Sequence, residues 1–591
     1  MVVDMLKSLQ SSGSTFDSSK TLLWKWLQAN ANVVKTLATK VLSSYTGKIF
    51  ICGWAISLQT SNQIFNFHIL LDEYFPYSPI RIAYKDTDNF LKWPHVEPNG
   101  LLCLPLLNTI EIEANIHQCL LNAIELIERC QNDENYIKEE FSKEFLSYWD
   151  HSNKSIAIKS LLNINNRTAR LTYIWTSKKY QLVGENIEQI ESWLKNENIY
   201  FDISDIKVGV FGFLSTPPTP PFPKNPRALL KLLRNTSNEI IRVLSNIPFN
   251  EKALIVLGAQ SPNGIGLIAT ELSAQSLNGF RRKKVYNQRI NLLLRRKRGM
   301  LKNKDVQRLD AQWVHGRDQN GSLVYLENAK VLILGCGSLG SQVAMRLAQS
   351  GIGNLILIDP EILVPSNIGR HALGINSTNK YKSDELKLEI GKKYPHLKVE
   401  SYPKTWQQVF KEHSNIINDN NLIISCMGEW SAEGQLSDWQ DSYSLPQPII
   451  YGWLDENGVA SHAVAILDQE ISLKCILDEN GILKNPETKW DQGGYMQTEP
   501  ACGTLFQPYG PLDASRAEFI VTRLSIDFLT HKVKNSVHRV YAGPTSQIKE
   551  HHGEWSQEHL KYRPNGFNGA FEYEKTALFN CNICNQCKKK K

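Results

Sequence analysis

Long apolar runs are missing from this sequence, and cysteine is scarce in it. No stretch approaches the roughly 18 consecutive apolar residues that a membrane span requires, which excludes a transmembrane protein. The first residues, MVVDMLKSLQSSGS, lack the charged and then apolar order of a signal peptide. Eleven cysteines among 591 residues are too few for a disulfide scaffold, so we expect reduced thiols and a cytoplasmic protein.

Excess positive charge is confined to one segment of the chain. Residues 281–304 hold eleven Lys or Arg and no Asp or Glu, and subtracting these from the net charge of +7 leaves −4 elsewhere. A basic run of this kind could contact nucleic acid or an acidic partner. A solvated helix or loop between domains is the simpler interpretation, so nucleic-acid binding is not indicated.

The sequence does contain enough material for several packed domains. At roughly 150 residues per domain, its length indicates about three to four domains, and 42% of its residues are hydrophobic. The alternation of strand-like and helical patterns predicts a multidomain α/β protein. We expect an α+β domain over 1–160, which begins with a helix over 22–42, an α/β spacer domain over 161–305, and a Rossmann-like domain over 306–591.

A glycine-rich turn opens the third domain. Gly335, Gly337 and Gly340 form the pattern G-x-G-x-x-G between a strand pattern and a helix pattern. Glycines at these positions allow a tight turn and a close approach of backbone N–H groups to phosphate. Asp359 ends the next strand, 19 residues after Gly340, where a ribose-binding carboxylate is expected. The pattern predicts a nucleotide site without separating NAD from ATP.

Three polar side chains beyond Asp359 favour a triphosphate. Asn367 and Arg370 lie three residues apart, and Lys382 follows in the run NKYKSDE. An amide, a guanidinium and an ammonium group suit the negative charge of ATP, whereas hydride transfer with NAD needs no such set. The alternative interpretation is that they are ordinary polar residues of an exposed loop.

These motifs resemble the adenylation domain of ubiquitin-activating and ThiF/MoeB-type enzymes. GCGSLG, LIDPE, SNIGRH and the lysine of NKYKS carry the resemblance, which spans about 306–530. It implies that the domain binds ATP and Mg²⁺ and adenylates a C-terminal carboxylate. It also implies that the three glycines and Asp359 contact the nucleotide, and that the three polar side chains above hold phosphate. Arg308, in RLDAQW, would be the arginine that such a domain sends into a partner's site.

The sequence departs from that family's pattern at three positions. Glu361 stands where a second aspartate usually follows the strand, and His371 stands where a glutamine commonly follows the arginine. The Mg²⁺-binding aspartate of the family is expected after the strand 422–426, and Glu429 is the nearest carboxylate there. Glu429 is therefore the Mg²⁺ candidate, and the identity of the metal ligand stays open.

Cys502 lies in a loop rich in glycine, proline and aromatic residues, QTEPACGTLFQPYGPLD, which precedes a predicted helix. In the activating family, a cysteine in such a loop attacks the acyl-adenylate. A thiolate suits this step because it is nucleophilic and forms an energy-rich thioester. A buried structural cysteine is the alternative. We predict that Cys502 is the first acyl acceptor.

Cys103 follows an Asn-Gly turn and lies between leucines in WPHVEPNGLLCLP. With strands and the turn FPYSP upstream and helices downstream, the segment 20–150 resembles the core of ubiquitin-conjugating enzymes. The resemblance implies that Cys103 receives the acyl group by thioester exchange. The family's His-Pro-Asn tripeptide is absent, and either His95 or Asn99 could stabilise the oxyanion. A catalytically inactive domain of the same fold is the alternative.

The C-terminal cysteines Cys581, Cys584 and Cys587 have the C-x-x-C spacing of zinc ligands. Three thiolates need a fourth ligand, which the two histidines at 551–552 or Cys475 could supply. Zinc is therefore possible at this end of the chain. The alternative is a polar tail without a metal, which ends in four lysines.

The order of a conjugating-like domain, a spacer and an activating domain resembles the fused enzymes of bacterial CBASS antiphage operons. That resemblance implies that the substrate is the C-terminus of a cGAS-like nucleotidyltransferase. The terminus would be adenylated, captured on Cys502, passed to Cys103 and joined to a target amine, often a lysine. The resemblance also implies a homodimer formed through the activating domains.

Two other classes of function stay open. A Rossmann oxidoreductase would bind NAD and would need neither cysteine. A non-catalytic scaffold for a ubiquitin-like protein would bind its partner without ATP and would keep its function after Cys103→Ala. The set of Asn367, Arg370 and Lys382 argues against the first class, and two separate loop cysteines argue against the second.

Overall fold

The computed structural model has a multidomain α/β architecture, as predicted. It describes residues 2–45, 48–61, 63–105, 111–149, 156–236, 238–248, 251–274, 301–443, 447–468, 471–490, 497–498, 505–506 and 508–575. Within these ranges, side chains are described except at 2–14, 235–236, 497–498 and 505–506. No helix in the described ranges is both long enough and apolar enough to cross a membrane.

The N-terminal domain contains a four-stranded antiparallel sheet in the order β1-β2-β3-β4. Its strands are β1 (Val33–Thr36), β2 (Cys52–Gln59), β3 (Ile64–Leu71) and β4 (Arg81–Tyr84). Phe65, Phe67 and Ile69 alternate along β3 and are buried, because every second side chain of a strand points to the same face. These three side chains belong to the domain's hydrophobic core.

Helices supply the other part of that core. The helices of the domain are Val2–Asn30, Thr39–Leu42 and Ile112–Asn132. Ile116, Ala123 and Ile127 lie on one face of the helix Ile112–Asn132, and all three are buried. The predicted continuous helix over 22–42 is wrong between Asn30 and Thr39, because the first helix ends at Asn30, strand β1 follows, and a second short helix begins at Thr39.

Two short helices connect this domain to the next, Glu134–Lys143 and Phe145–Trp149. Phe145 and Trp149 are buried in the hydrophobic core of the middle domain. The indole Nε1 of Trp149 donates a hydrogen bond to the carbonyl oxygen of Ala269 at 3.1 Å. The second connecting helix is therefore packed as part of the middle domain.

The middle domain is a closed barrel of seven strands in the order β10-β11-β5-β7-β6-β8-β9. The strands are β5 (Ala157–Ser160), β6 (Arg170–Thr176), β7 (Tyr180–Gly184), β8 (Lys207–Leu214), β9 (Ala253–Ser261), β10 (Gly264–Leu272) and β11 (Leu301–Arg308). Its helices are Ile187–Asn196, Pro226–Thr236 and Asn238–Leu244. The first and last strands extend past both ends of the predicted spacer, 161–305, and they pair with each other in parallel.

The C-terminal domain is built on an eight-stranded sheet in the order β14-β13-β12-β15-β16-β17-β21-β23. Its strands are β12 (Lys330–Leu334), β13 (Asn354–Ile358), β14 (Lys398–Tyr402), β15 (Leu422–Ser425), β16 (Ile449–Leu454), β17 (Ala460–Ile466), β21 (Val537–Ala542) and β23 (Phe571–Glu574). Two small sheets are formed by β18 (Thr488–Trp490) with β22 (Gly553–Trp555) and by β19 (Gln497–Thr498) with β20 (Leu505–Phe506).

Helices flank this sheet. They are Ala311–Gly316, Leu323–Asn328, Ser338–Gln349, Lys382–Lys393, Trp406–Glu412, Ser414–Asn418, Trp430–Ser442, Pro511–Leu529, Thr545–Glu550 and Gln557–Leu560. The five strands from β14 to β16 are parallel, and the other three are antiparallel. The chain leaves β12 toward β13 on one side and returns to β15 on the other. Such a reversal opens a crevice at the carboxyl ends of the strands, where α/β sheets bind ligands.

Candidate active site

The glycine-rich turn connects β12 to the helix Ser338–Gln349. Gly335 has a φ of 85°, and a Cβ at Gly340 would lie 1.8 Å from the Gly335 carbonyl oxygen. A Cβ at Gly337 would instead meet no atom within 4 Å. The first and third glycines are therefore required by the fold of the turn, whereas the second leaves open space in front of the helix N-terminus.

This difference predicts opposite effects for two substitutions. Gly340→Ala is expected to lower the free energy of unfolding by at least about 3 kcal/mol, because the new Cβ overlaps a backbone oxygen that cannot move away. Gly337→Ala is expected to keep stability within about 1 kcal/mol of wild type and to weaken ATP binding at least about tenfold. Thermal unfolding and calorimetric titration with ATP measure the two effects. Equal stability losses in both variants would contradict the assignment.

Asp359 holds the glycine turn through both carboxylate oxygens. Oδ2 accepts a hydrogen bond from the backbone N–H of Cys336 at 2.6 Å, and Oδ1 accepts one from Glu361 at 2.7 Å. Burial raises the pKa of Asp359, and these two hydrogen bonds oppose that rise. Each carboxylate oxygen retains a second acceptor site, which suits a ribose hydroxyl.

His371 also stabilises the glycine turn, through the backbone of Cys336. Its Nδ1 accepts a hydrogen bond from the Leu373 N–H at 3.0 Å, and its Nε2 donates one to the Cys336 carbonyl oxygen at 2.7 Å. Burial lowers the pKa of His371 to about 4, so the ring is neutral at neutral pH and the two bonds assign a single tautomer. The histidine that departs from the family pattern therefore stabilises the turn.

A cavity of about 300 Å³ lies where the glycine turn meets the carboxyl ends of β13 and β15. Its walls include Gly337, Asp359, Trp406 and Glu429. The ring of Trp406 can stack on a base, the carboxylate of Asp359 can bind a ribose, and the open turn at Gly337 can bind phosphate. Glu429 is one carboxylate on this wall, and Mg²⁺ is commonly held by one or two carboxylates together with substrate phosphates. The residues present therefore fit a nucleotide accompanied by Mg²⁺.

Lys382 begins the helix Lys382–Lys393, and the residue is only 4% exposed. Its ammonium group pairs with the carboxylate of Glu361, and its backbone N–H donates to the Glu361 carbonyl oxygen at 2.9 Å. The charge of Lys382 also acts on the carboxyl of Asp359, whose pKa it lowers. Glu361, the second departure from the family pattern, thus holds the predicted phosphate-binding lysine beside the predicted ribose carboxylate.

Arg370 and Asn367 lie on the loop after Asp359. The Arg370 guanidinium lies 4.5 Å from the centre of the Tyr509 ring, and the Tyr509 hydroxyl hydrogen-bonds Ser338 Oγ at 2.7 Å. Asn367 Oδ1 lies 3.5 Å from the backbone nitrogen of Val364. The sequence analysis missed Tyr509, although its place in an aromatic, Gly- and Pro-rich loop was a usable signal. This tyrosine connects Arg370 to the first residue of the helix after the glycine turn.

A second cavity, of about 560 Å³, adjoins the first. Gly337, Cys426 and Met427 line both cavities, so the two meet at the glycine turn. Its described lining includes three tryptophans and three acidic residues but no Lys or Arg. A channel of this size beside a nucleotide cavity can admit an extended peptide segment.

Two buried carboxylates of this second cavity were not anticipated from the sequence. Glu433 accepts a hydrogen bond from Ser425 Oγ at 2.7 Å, and burial raises its pKa to about 7. Asp455 Oδ1 lies 2.9 Å from His462 Nε2, whereas Oδ2 has no hydrogen-bond partner among the atoms described. Neither residue belongs to a recognisable motif, so no sequence signal pointed to them.

Arg308 differs from its predicted role. It is buried at the end of β11, and its guanidinium donates to both carboxylate oxygens of Asp310 and of Asp318 and to the carbonyl oxygen of Ile265. All of its donors point to acceptors of its own chain. These contacts correct the expectation of an arginine that enters a partner's site, because a guanidinium with five internal bonds stabilises the junction after the barrel.

Cys103 is the exposed cysteine among those in the described ranges. It follows the short 3-10 turn Pro98–Gly100, and its backbone N–H donates to the His95 carbonyl oxygen at 2.8 Å. Cys119 and Cys130 are buried, and burial raises their pKa to about 11 and about 12. Those two remain thiols at neutral pH and belong to the hydrophobic core of the domain.

The imidazole of His95 hydrogen-bonds the Cys103 thiol, and this bond raises the pKa of His95 although burial lowers it. Nε2 lies 3.1 Å from a carboxylate oxygen of Glu140, and Nδ1 lies 3.5 Å from one of Glu144. Both carboxylates raise the pKa of His95 further. The ring therefore lies between one reactive sulfur and two negative charges.

The side chain of Asn99 stabilises the turn and does not bind the Cys103 thiol. Its φ is 67°, and its side-chain Nδ2 donates to the carbonyl oxygen of Ser44 at 2.8 Å. Its own carbonyl oxygen accepts a hydrogen bond from Lys85 Nζ at 3.3 Å. Of the two residues that the sequence analysis left open, the structure brings His95 into contact with Cys103.

Several predicted residues lie outside the part of the chain that the structure describes. They are Cys502, Cys581, Cys584 and Cys587. The thioester role of the first and the zinc site of the other three therefore stay predictions. Within the described residues, no group of three or more His, Cys, Asp or Glu side chains is arranged to hold a metal ion.

Two family models match the chain in the two places where these sites lie. Residues 24–158 match the model of the prokaryotic E2 family B, and residues 315–506 match the model of the ThiF family. The chain joins an E2-like domain to a ThiF domain. The predictions of a multidomain α/β fold and of an enzyme that pairs a conjugating-type with an activating-type domain are confirmed.

Curated relatives match one or both of these domains. An Escherichia coli protein named "ATP-dependent ubiquitin transferase-like protein Cap2" is 22% identical over 472 residues, which cover 70% of this chain and 77% of that protein. A Pseudomonas aeruginosa protein of the same name is 27% identical over 27% of this chain and only 28% of its own length. The Candida albicans "Adenylyltransferase and sulfurtransferase UBA4" is 32% identical over 18% of this chain and 25% of its own length.

Solved structures match this chain at low identity and with low TM-scores. The crystal structure of E. coli MccB with MccA-N7isoASN is 16% identical, covers 45% of this chain and 69% of its own, and has a TM-score of 0.32. The crystal structure of PaaA is 19% identical, covers 44% of this chain and 67% of its own, and has a TM-score of 0.30.

Proposed function

We propose that this enzyme adenylates the C-terminal carboxylate of a protein and transfers the activated acyl group to an amine through two cysteines, Cys502 and then Cys103. One observation carries the proposal. The same chain holds a nucleotide-sized cavity lined by Gly337 and Asp359, and an exposed thiol in contact with an imidazole in a different domain.

Adenylation would take place where the two cavities meet at the glycine turn. The substrate tail enters the 560 Å³ cavity, and one oxygen of its terminal carboxylate attacks the α-phosphorus of ATP, from which pyrophosphate leaves. Lys382 and Arg370 offset the negative charge that develops on the phosphoryl oxygens, and Asn367 contributes an amide donor. Asp359 holds the ribose. Mg²⁺ beside Glu429 would neutralise charge on the phosphates.

Two thioesters would follow. The Cys502 thiolate attacks the carbonyl carbon of the acyl-adenylate, the C–O bond to phosphate breaks, and AMP leaves. The Cys103 thiolate attacks the new thioester, and Cys502 departs as its thiolate. An amine then attacks the carbonyl carbon of the Cys103 thioester, an amide forms, and Cys103 is regenerated. Part of the free energy of ATP hydrolysis is thus retained in the two thioesters until the amide forms.

The identity of the substrate is proposed from the resemblance to fused CBASS enzymes. The substrate would be the C-terminus of a cGAS-like nucleotidyltransferase, and the acceptor would be an amine of a target protein in antiphage defence. Relatives named "ATP-dependent ubiquitin transferase-like protein Cap2" support a transferase that consumes ATP. We also propose that the enzyme forms a homodimer through its ThiF domains. Arg308 has no role in the partner's site in this proposal, because its own chain binds it.

The test is adduct formation on the full chain. Purified enzyme receives Mg²⁺, a cGAS-like nucleotidyltransferase and either ATP or NAD, and a non-reducing gel and intact mass follow the product. We expect a thiol-labile adduct, of the summed masses less one water, with ATP only. The same substrate with its terminal carboxylate converted to an amide is the matched control and should form none. An adduct absent with ATP, or equal with NAD, would contradict the proposal.

Cys502→Ala separates this reaction from simple partner binding. The variant should bind ATP like wild type and form no thioester, because adenylation produces no covalent bond to the enzyme. Persistence of the thiol-labile adduct in Cys502→Ala would remove this cysteine from the relay. ATP-independent binding of the substrate without any adduct would favour the scaffold.

A further inference from the structure

Three side chains of the connecting segment, which consists of the two short helices and the residue between them, converge on His95 of the E2-like domain. They are Glu140, Glu144 and Tyr148, and we call them the histidine clamp. Glu140 Oε2 lies 3.1 Å from Nε2 of the ring, and Glu144 Oε2 lies 3.5 Å from Nδ1. The Tyr148 hydroxyl accepts the backbone N–H of His95 at 2.8 Å and donates to Glu144 at 3.4 Å.

The backbone of His95 explains why the clamp is needed. Its φ of 58° lies in the left-handed region, which is uncommon for residues other than glycine, although Asn, Asp and His occur there more often than the rest. A conformation of this kind persists only when surrounding contacts enforce it. The hydrogen bond to Tyr148 supplies such a contact at the residue itself, and the two carboxylates restrain the ring.

The clamp is charged under ordinary conditions. Burial raises the pKa of Glu140, but hydrogen bonds from Lys143, at 2.6 Å, and from His95 outweigh it and lower the pKa. Glu140 is therefore a carboxylate at neutral pH. A carboxylate against each ring nitrogen favours the protonated form of an imidazole.

The helix that carries part of the clamp is anchored in the middle barrel. Tyr148 and Glu144 lie four residues apart and contact His95, whereas Phe145 and Trp149, also four apart, lie in the barrel core. Residues spaced by four share one face of a helix. The segment 144–149, which contains the second connecting helix, therefore faces the thiol site with one side and the barrel with the other.

We propose that the histidine clamp positions His95 as the proton-transfer group of Cys103, and that the middle barrel is the anchor that keeps this site assembled. The inference rests on the proposed function, since it concerns the amide-forming step at Cys103. His95 is the catalytic residue because it contacts the sulfur. Glu140, Glu144 and Tyr148 are positioning residues.

The proton balance of that step defines the role of the ring. When the amine attacks the Cys103 thioester, a C–N bond forms, the C–S bond breaks, and the nitrogen must lose one proton. Neutral His95 accepts this proton and delivers it to the departing Cys103 sulfur, so no other acid or base is consumed. The exposed position of Cys103 gives an incoming amine access to the thioester.

The test is single-turnover discharge of the loaded enzyme. The full chain is loaded with its substrate and ATP, EDTA then stops further activation, and free lysine is added while the thioester is followed on a non-reducing gel across neutral pH. Tyr148→Phe and Glu144→Gln are compared with wild type. Glu139→Gln is the matched control, since it removes the same charge from an exposed position of the helix Glu134–Lys143, which also carries Glu140.

We expect the maximal rate of discharge, reached at the high-pH end of the profile, to fall about tenfold or more in both clamp variants and to stay unchanged in Glu139→Gln. The pH dependence gives a second readout. Discharge rises with pH as His95 loses its proton, and Glu144 raises the pKa of His95, so Glu144→Gln should move the rising limb to lower pH. Besides Glu144, the groups that face the ring are Cys103, Glu140 and Tyr148, with Lys143 behind Glu140.

The possible outcomes separate this inference from the proposed function. If wild type forms no ATP-dependent adduct, the proposed function fails. If wild type loads and discharges but both clamp variants match it in rate and pH profile, the clamp has no part in the reaction. Slow discharge in Glu144→Gln without a shift of its pH profile would also overturn the inference. That result would mean that Glu144 only supports the fold and does not act on the pKa of His95. Thermal unfolding of each variant shows whether the fold is retained.

Discussion

Replacing Cys103 by alanine is expected to reduce amide formation at least about 10³-fold while an ATP-dependent thioester still forms on Cys502. The thiol is the exposed cysteine of the described chain and contacts His95, so no neighbouring cysteine can take over its role. The activating half lies in a different domain and should still adenylate and capture the substrate. Intact mass after a non-reducing gel identifies the stalled adduct.

Cys119→Ala is a suitable control for this experiment. Its thiol is buried in the same domain, and burial raises its pKa to about 11. The substitution removes a cysteine from the E2-like domain without changing the exposed one, so we expect wild-type transfer. Undiminished amide formation in Cys103→Ala would exclude Cys103 as the second carrier. Loss of the Cys502 adduct in Cys103→Ala would show that Cys103 acts before Cys502.

Lys382→Met is expected to slow adenylation about 10²- to 10³-fold, because in the proposed reaction the side chain supplies a fixed positive charge where phosphoryl oxygens gain negative charge. The residue is only 4% exposed and is held by Glu361, so its ammonium group cannot be replaced by a mobile neighbour. Methionine keeps the length and most of the volume of the stem. ATP–pyrophosphate exchange in the presence of the substrate measures the step before either cysteine acts.

Lys380→Met provides the matched control. Lys380 lies two residues earlier, its side chain is 54% exposed, and it pairs with Glu385 at 3.2 Å. Both variants lose one positive charge from the same segment, but only Lys382 interacts with Asp359 in the nucleotide cavity. We expect exchange in Lys380→Met to remain within about twofold of wild type. Equal losses in the two variants would indicate a general charge effect and would contradict the role of Lys382.

The sequence predicted the glycine turn well because the requirement is local. A strand, three spaced glycines and a helix occupy one continuous segment, and the turn forms between β12 and its helix as expected. The position of Asp359 follows from the same logic, since it comes directly after β13 and parallel strands end at one edge of the sheet. The exposure of Cys103 likewise agrees with its place after an Asn-Gly turn.

Predictions that depended on distant pairing were less accurate. The helix expected over 22–42 gives way after Asn30 to strand β1, whose valines pair with β2. Apolar spacing alone could not show this, because β-branched residues also suit the edge of a sheet. Arg308 was assigned to a partner's site, yet Asp318 and Ile265 from other segments bind it within its own chain.

By itself the sequence determined the pairing of an E2-like domain with a ThiF-like domain and the local form of the glycine turn, since both depend on contiguous motifs. Only the tertiary structure decided that the middle segment closes into a barrel, because its first and last strands, β5 and β11, must meet across about 150 residues. It also decided that His95, rather than Asn99, contacts Cys103. The His95 ring and backbone are contacted by Glu140, Glu144 and Tyr148, which lie in the connecting segment. No local sequence pattern encodes how that segment packs.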